Sequence, residues 1–270
     1  MRKKIKKFSA FSKNTLLKQG ENRNLHGFGE KSSRSKKALY KKIPSLTIAI
    51  PAYNEEENLE WVLRDILSEA PKQLSDFEIV IVNDGSTDNT GKIADNFAKK
   101  NKKIKVVHKK NGGYGEAMLR GIKEAKKEFV AYMPADGQFL VKDMLNCFPL
   151  MDSSDLVLGY RGKRKDYNLY RLILSHGYLF ILKVLFGISY KDVNWLNIWR
   201  SKEIKSLKTR SRGVFLLAEI ILKFKKKGLR ISEAKSFYRV RRGGEVKNAK
   251  LRIAVQTLID LLSFKFSSFT

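Results

Sequence analysis

The feature that most constrains the fold is a regular alternation of short apolar runs with amphipathic patterns between Ser45 and Leu158. Five of the runs are typical of buried strands: Leu46–Pro51, Phe77–Val82, Ile104–Val107, Glu128–Met133 and Asp155–Leu158. Four helical patterns lie between them: Glu55–Ala70, Asp88–Lys100, Tyr114–Lys126 and Lys142–Met151. This spacing predicts an α/β fold with a mostly parallel central sheet, flanked by helices and joined by right-handed crossovers.

The chain is strongly basic, and much of the excess charge lies in one tail. The formal net charge of the 270 residues is +28, and residues 1–42 hold 14 of the 55 lysines and arginines but only two of the 27 acids. This tail has few large apolar residues and no periodicity, so we interpret it as a largely disordered segment rather than a secretory signal. We expect it to bind anionic lipid rather than nucleic acid; a solvated terminus is the alternative.

Two further features of the composition narrow the class of protein. The single cysteine, Cys147, excludes an intramolecular disulfide and a multi-cysteine zinc site, and it fits a reducing cytoplasm. No stretch reaches 18 uninterrupted apolar residues, so the sequence predicts no membrane span.

Polar residues follow the first two predicted strands, where ligands bind in an open α/β sheet. The first strand ends in Pro51-Ala52-Tyr53-Asn54-Glu55, and the second in Asn83-Asp84-Gly85-Ser86-Thr87-Asp88. Asn54 could cap the following helix, with Glu57 completing a capping box, and Asp84 could form a simple turn. The functional alternative is that Asp84 meets the base or ribose of a nucleotide lying across the strand ends.

A glycine-rich segment, Asn111-Gly112-Gly113-Tyr114-Gly115, opens the helix that follows the third strand. Glycines before a helix are typical of phosphate-binding loops, because the helix N-terminus attracts anions. The dinucleotide-binding spacing requires another glycine where Met118 stands, so neither that fingerprint nor a Walker loop is present. We therefore interpret the segment as a mobile loop beside the site.

The fourth predicted strand stops abruptly at Pro134-Ala135-Asp136-Gly137-Gln138. An acid and an amide at the carboxyl end of a buried strand can hold a metal ion, a phosphate or a sugar hydroxyl. Alternatively, Asp136 bonds only nearby backbone in a turn.

Together these four segments resemble glycosyltransferase family 2, and within it the dolichyl- and polyprenyl-phosphate sugar transferases. The resemblance covers about residues 45–250. It implies a GT-A-type fold that binds a nucleotide sugar and transfers the sugar with inversion at the anomeric carbon. The residues that it implies for the nucleotide sugar are Pro51, Ala52, Tyr53, Glu55, Asp84, Gly113, Ala135 and Asp136. Asp136 and Gln138 would serve the metal ion and the diphosphate.

One departure from the family concerns the metal motif. The family has Asp-x-Asp, whereas this chain has Pro134-Ala135-Asp136, so the first carboxylate is missing. Mg²⁺ usually needs only one or two protein carboxylates in addition to substrate phosphates and water. We therefore expect Asp136 and Gln138 to hold Mg²⁺ or Mn²⁺ more weakly than in the family, with a metal-independent mode as the alternative.

Two arginines in the second half indicate an anionic acceptor. Gly159-Tyr160-Arg161 and Tyr170-Arg171-Leu172-Ile173-Leu174-Ser175 resemble the Gly-Ser-Arg and Tyr-Arg-x-x-x-Ser positions of the family. The resemblance implies that Arg161 and Arg171 clamp the acceptor phosphate, a role that suits the guanidinium fork. The alternative is that both are surface arginines of a basic chain.

Two apolar segments in this half favour contact with lipid. The segment from Leu169 to Gly187 is interrupted by Ser175, His176, Gly177 and Lys183, which favours a helix partly sunk in the headgroup layer over a membrane span. A buried core helix is the competing interpretation. From Lys250 onward an amphipathic helix is predicted, ending in an aromatic and basic tail that fits an interface.

Asp192 and Glu219 are two further acids at family positions. After Asp192, the segment 193–197 departs from the family loop that lies near the sugar. Glu219 lies in the apolar segment Phe215–Ile221, and a buried carboxylate needs a partner. As a functional residue, Glu219 would orient an arginine or contact the acceptor region. The alternative is a purely structural ion pair.

The segment Arg239–Lys247 resembles the family's Arg-x-Arg-Gly-Glu-Ser-Lys loop, with departures at Gly243 and Val246. The resemblance implies that this loop folds over the diphosphate, with Arg241 or Lys247 against the developing negative charge. A basic surface loop is the alternative. The segment before it, Gly228–Tyr238, predicts a strand on the far side of the sheet.

These observations predict a basic tail over residues 1–42, a glycosyltransferase domain over 43–248, and an amphipathic helix and tail over 249–270. The predicted enzyme moves a sugar from a GDP- or UDP-sugar to a polyprenyl or dolichyl phosphate on the inner face of the cytoplasmic membrane. The candidate catalytic residues are Asp136, Arg161, Arg171, Asp192 and Glu219.

Expected partners are the nucleotide sugar, the lipid phosphate and an anionic membrane surface, with a second copy or a membrane protein as further candidates. Two alternatives stay open: transfer to a saccharide hydroxyl with Asp192 or Glu219 as base, and a non-catalytic binding protein.

Overall fold

The apolar runs form one seven-stranded sheet in this computed structural model, which describes residues 45–162, 167–237, 239, 243 and 251–267. The strands are β1 Leu46–Ala52, β2 Phe77–Asp84, β3 Ile104–Lys109, β4 Phe129–Tyr132, β5 Leu156–Arg161, β6 Asn197–Arg200 and β7 Ile231–Ser236. Their order is β3-β2-β1-β4-β6-β5-β7. β6 is antiparallel to β4 and β5, and the other pairs are parallel. The predicted α/β fold with a mostly parallel sheet is thus confirmed.

The helices of the described residues are α1 Glu56–Gln73, α2 Thr90–Lys100, α3 Tyr114–Glu124, α4 Val141–Cys147, α5 Leu169–Phe186, α6 Ser201–Lys205, α7 Leu216–Lys226 and α8 Leu251–Ser267. A 3₁₀ turn, Phe148–Asp152, follows α4. The tail 1–42, Arg241 and Lys247 lie outside the described residues, so the predictions made for them stay predictions.

Helices cover both faces of the sheet, and β1 shows how its sequence achieves this. Ile48 and Ile50 belong to a core cluster with the apolar side of α1, whereas Ala49 belongs to a second cluster with α3 and α7. Gly121 of α3 allows a close approach, because a Cβ at this position would lie 3.0 Å from the Cβ of Ala49. Strands buried on both faces read as continuous apolar runs, which is why the sequence identified them.

Two elements of the second half differ from the prediction. β6 was missed, because the segment treated as a loop over residues 193–197 runs directly into a strand of only four residues. The helix predicted over Lys142–Met151 ends at Cys147 and continues as the 3₁₀ turn. Pro149 lies in this turn and has no N–H to donate to a continuing α-helix.

Helix α5 is not the buried core helix that was one of the two interpretations, since Leu182 is the only buried residue among its 18. Of the described residues, α5 is also the one helix that is long and apolar enough to cross a membrane by length and composition. This criterion does not test whether α5 crosses a membrane, so the prediction of no membrane span stays a prediction. Helix α8 packs beside the end of α5: Lys265 Nζ donates to the Leu185 carbonyl (2.8 Å), and the rings of Phe264 and Phe186 lie 6.0 Å apart.

Candidate active site

The loops after β1 and β2 form one hydrogen-bonded unit at the carboxyl end of the sheet. The Asn54 N–H donates to Ser86 Oγ (3.1 Å), and Asn54 Oδ1 accepts from the Thr87 N–H (2.9 Å). Asn54 has a left-handed φ of 51°, which asparagine tolerates better than most residues. The predicted capping box with Glu57 is therefore wrong, because the Asn54 side chain bonds the second loop instead of capping α1. The next residue, Glu55, donates its N–H to Thr90 Oγ1 (2.8 Å).

Asp84 is buried, and both of its carboxylate oxygens bind the glycine segment and the end of β3. Oδ1 accepts from the Gly112 N–H (2.9 Å) and from Lys109 Nζ (2.6 Å), and Oδ2 accepts from the Gly113 N–H (2.8 Å). Gly113, at φ 85°, then leads into α3. Asp84 thus ties the glycine segment to β2 rather than forming a simple turn. Its contact with a nucleotide base stays a prediction.

Asp136 follows β4 in a tight turn near the buried Tyr132 and the half-buried Tyr114. Its Oδ1 accepts from the Gln138 N–H (3.0 Å), and Gly137 between them has a φ of 72°. The rings of Tyr114 and Tyr132 pack edge-on with 5.5 Å between their centroids, and burial raises the pKa of both, with a further contribution from the charge of Asp136. The charge of Glu55 also raises the pKa of Tyr132. The predicted site residues Glu55 and Asp136 therefore lie near the same tyrosine.

The residues predicted to hold a metal ion provide a single carboxylate. Within the described ranges, no group of three histidine, cysteine or acidic side chains could hold a metal ion. Gln138 makes a long contact from Nε2 to the Arg239 carbonyl (3.5 Å), and the Arg239 N–H donates to the Gln138 carbonyl (3.2 Å). Asp136 fits Mg²⁺ or Mn²⁺ provided that substrate phosphates and water complete the coordination shell.

Arg161 and Asp192 form a buried, bidentate ion pair. Nε lies 2.7 Å from Oδ2 and Nη2 lies 3.1 Å from Oδ1, with the two side chains 8% and 3% exposed. Burial alone would lower the pKa of Arg161, but Asp192 and Tyr167 raise it above its ordinary value. The guanidinium carbon also lies 4.6 Å from the ring centroid of Trp195. Arg161 is therefore not a surface arginine, and its charge is compensated by a residue that the sequence singled out separately.

Arg171 lies in the first turn of α5, where its N–H donates to Oδ1 of the cap residue Asn168 (2.9 Å). Its guanidinium carbon lies 3.9 Å from the ring centroid of Tyr167, and the Tyr167 hydroxyl accepts from Arg161 Nη1 (2.9 Å). The structure thus brings both predicted arginines to one tyrosine. Sequence reasoning missed Tyr167, although an aromatic residue directly before a helix cap was a usable signal.

Glu219 of α7 is fully buried, and its partners match the structural alternative. It accepts from the N–H groups of Arg210 (2.9 Å) and Ser211 (2.8 Å) and pairs with Lys223 Nζ (2.8 Å). It therefore binds the backbone of an arginine and not a guanidinium. The loop that it fixes contacts α3, where the Gly115 N–H donates to the Arg212 carbonyl (3.1 Å).

The sequence matches known proteins over most of the described domain. The family model described as glycosyl transferase family 2 matches residues 47–215. The chain is 28% identical over 213 residues to a dolichol-phosphate mannosyltransferase of Pyrococcus furiosus, a match that covers 75% of this chain and 58% of the relative. It is 26% identical over 140 residues to an undecaprenyl-phosphate 4-deoxy-4-formamido-L-arabinose transferase of Proteus mirabilis, covering 51% and 43%. The chain thus spans about half the length of these curated relatives.

The fold also matches solved structures. The crystal structure of glucosyl-3-phosphoglycerate synthase from Mycobacterium tuberculosis, in complex with Mn²⁺, UDP-glucose and phosphoglyceric acid, superposes with a TM-score of 0.64. The match covers 88% of this chain and 85% of the synthase at 18% identity. At this identity the similarity concerns the fold alone, and it confirms the predicted GT-A-type architecture.

Proposed function

Because the chain belongs to glycosyltransferase family 2, we propose that it transfers a sugar from a nucleotide diphosphate sugar to a polyprenyl phosphate at a membrane surface. One observation carries the choice of acceptor: Arg171 lies in the first turn of α5, and the exposed face of that helix is apolar apart from His176 and Lys183. A phosphate bound by Arg171 would leave its hydrocarbon chain along this face. The names of the two curated relatives, one for dolichol phosphate and one for undecaprenyl phosphate, support the same class of acceptor.

Two apolar stripes are exposed, one on α5 and one on α8. The α5 stripe recurs at helical spacing and is 61–73% exposed; it consists of Leu169, Ile173, Phe180 and Val184. The α8 stripe also recurs at helical spacing, and it consists of Val255, Leu258, Ile259, Leu262 and Phe266. The opposite side of each helix packs against the domain through residues such as Leu182 and Leu261. Each helix therefore has an apolar side that no described residue covers.

In this proposal both stripes lie in the headgroup region of the cytoplasmic leaflet, and the enzyme is peripheral. A transmembrane course for α5 is disfavoured because the domain holds both of its ends. The N-terminal turn is tied to Arg161 through Tyr167, and after the last turn Lys225 Nζ donates to the Gly187 carbonyl (3.0 Å). Helix α5 contains no acidic residue, and a chain with a net charge of +28 is attracted to anionic lipid.

The proposed donor site lies across the carboxyl ends of β1, β2 and β4, where the loops described above meet. Its lining residues are those that the resemblance implies: Pro51, Ala52, Tyr53, Glu55, Asp84, Gly113 and Ala135. Asp136, together with the phosphates of the donor, would hold Mg²⁺ or Mn²⁺, which supplies positive charge to the departing diphosphate. We propose that Arg241 and Lys247 add positive charge on the same side.

The proposed reaction requires no general base. A phosphate monoester has a second pKa of about 6, so its oxygen is largely ionised at neutral pH. This oxygen attacks the anomeric carbon, the bond from that carbon to the diphosphate oxygen breaks, and the configuration inverts. The protein contributes positioning of the two phosphates and stabilisation of charge.

Transfer to a saccharide hydroxyl would require a general base, and both candidates are already engaged. Asp192 is bound to Arg161, and Glu219 to Lys223 and to two backbone N–H groups. The geometry therefore favours the phosphate acceptor.

The test is transfer from a panel of radiolabelled UDP- and GDP-sugars to detergent-solubilised polyprenyl phosphate, with Mn²⁺ or with excess chelator. We expect one donor to label the lipid, and we expect labelling to need the metal. Asp136→Asn should reduce labelling by about 100-fold or more, the usual cost of losing charge stabilisation of a transition state. The matched control is Asp152→Asn at the exposed last residue of the 3₁₀ turn, which should label like the wild type.

Two results would contradict this proposal. Hydrolysis of one donor without lipid labelling would show that the acceptor is wrong. Failure to bind any donor, with or without metal, would favour a non-catalytic binding protein. Full labelling in excess chelator would contradict only the role given to the metal.

A further inference from the structure

We propose that Tyr167 is a positioning residue that holds the guanidinium of Arg171 ready for the acceptor phosphate. In the same proposal, the Arg161–Asp192 pair is a neutral support for Tyr167 and not the second half of a phosphate clamp. This inference rests on the proposed function, because it concerns the acceptor of that reaction.

The two arginines differ in how their charges are compensated. Arg161 is buried and shares two hydrogen bonds with Asp192, so a phosphate that approached it would also meet the carboxylate. Drawing Arg161 away would leave Asp192 buried without its counter-charge, which is strongly unfavourable. None of the ion pairs formed between described residues includes Arg171. Arg171 is therefore the better partner for an anion.

An aromatic ring can hold a cation without neutralising it. The guanidinium carbon of Arg171 lies 3.9 Å from the centroid of the Tyr167 ring, well within cation–π range. A carboxylate in the same place would compete with the phosphate for the guanidinium N–H groups, whereas the ring attracts the cation through its quadrupole and leaves those groups as donors. The cap residue Asn168 fixes the backbone of Arg171 as well.

Tyr167 is itself held in place by a series of contacts that leads toward the donor side. Its hydroxyl accepts from Arg161, and Arg161 lies over Trp195. Trp195 stacks on Phe139 with 3.7 Å between the ring centroids, and its Nε1–H donates to Ser236 Oγ (2.7 Å). Phe139 directly follows Gln138 in the chain. The position of Arg171 is thus linked to the turn that contains Asp136.

The test uses the full chain in detergent and measures binding of citronellyl phosphate, a short isoprenoid phosphate, by titration calorimetry. Tyr167→Phe keeps the ring that Arg171 lies over and loses only the hydroxyl that accepts from Arg161, so it should bind more weakly than the wild type but more tightly than Tyr167→Leu. Tyr167→Leu should bind roughly 2- to 30-fold more weakly, which is the affinity range of a cation–π contact. In the Arg171→Ala background, Tyr167→Leu should cause no further loss, because coupled residues are not additive.

The matched control is Phe97→Leu in α2, which removes the ring that lies beneath Arg64. The guanidinium carbon of Arg64 lies 5.8 Å from the centroid of this ring. This variant should not change citronellyl phosphate binding. In transfer assays, Tyr167→Leu should raise the KM for the lipid and leave the KM for the donor unchanged. A merely structural role would impair both.

The inference is overturned if Tyr167→Leu binds like the wild type, if Tyr167→Phe is weakened equally, or if the loss persists in the Arg171→Ala background. Binding of inorganic phosphate is measured in parallel. Equal affinity for both probes would retain the anion site and reject the lipid acceptor. If the wild type binds neither probe, the proposed acceptor is wrong, and the role given to Tyr167 falls with it.

Discussion

Replacing Asp192 by asparagine separates two roles for this acid, the buried counter-ion of Arg161 and a general base. The two side chains are 8% and 3% exposed and share two hydrogen bonds of 2.7 and 3.1 Å. Removing one member of such a pair costs about 3–5 kcal/mol, because the remaining charge is buried without a partner. Asparagine keeps the shape and one acceptor oxygen, so we expect a loss of about 3 kcal/mol, near the lower end of that range.

This loss is measured as the change in the free energy of unfolding, from urea denaturation followed by circular dichroism. For a domain of this size it corresponds to a fall in Tm of roughly 6–12 °C. The double variant Arg161→Met with Asp192→Leu replaces the pair by apolar side chains, and we expect it to be more stable than the single variant Asp192→Asn. The control is Glu60→Gln, which breaks an exposed pair with Arg64 and should change stability by about 0.5 kcal/mol or less.

The reasoning is refuted if Asp192→Asn unfolds within about 1 kcal/mol of the wild type. It is also refuted if the double variant loses as much stability as both single changes added together. Loss of transfer with unchanged stability would instead identify Asp192 as a base and would revive the saccharide acceptor.

Three further predictions concern other parts of the molecule. Gly115→Ala should lower the free energy of unfolding, measured in urea, by about 1–3 kcal/mol, because its Cβ would lie 2.0 Å from the Arg212 carbonyl oxygen. Gly177→Ala has open space around its Cβ and should be neutral or stabilising, and equal effects of the two changes would contradict this. Burial raises the pKa of the Cys147 thiol to about 12, so the thiolate forms only well above neutral pH. A thiol reagent at about pH 8 should therefore label the unfolded chain but not the native one. Val184→Asp on the α5 stripe should reduce sedimentation with anionic vesicles several-fold without changing the urea midpoint, and unchanged sedimentation would reject this face as the membrane contact.

The first half of the fold could be predicted because its signals are local. Each strand from β1 to β5 is an apolar run, and each is followed by a turn or a cap that the sequence shows directly. β6 has no such signal: it has four residues, of which Ile198 and Trp199 are apolar, and it exists because β4 and β5 pair with it on both sides. A strand defined by its neighbours cannot be recognised from its own residues.

The same limit applies to the candidate site. The sequence singled out Asp84, Arg161 and Asp192, but their partners lie far along the chain, so the pairings were not visible. Asp84 binds a loop 28 residues away, and Arg161 pairs with an acid 31 residues away. The chemical groups could be read from the sequence, whereas the pairing of their charges is visible only in the structure. In our proposal, Arg161 is half of a neutral pair rather than a phosphate ligand.

The distribution of charge explains how the proposed site could operate with the proline at position 134. With Asp136 as the one carboxylate of the proposed metal site, the protein would neutralise less of the charge of a divalent ion than an Asp-x-Asp motif would. More of that charge is then available to the departing diphosphate, while the ion on its own is held weakly. Most of its ligands would come from the donor phosphates, so ion and donor must increase each other's affinity by the same factor. In the proposed mechanism, loss of the first carboxylate therefore makes metal binding depend on the donor without removing the metal's role.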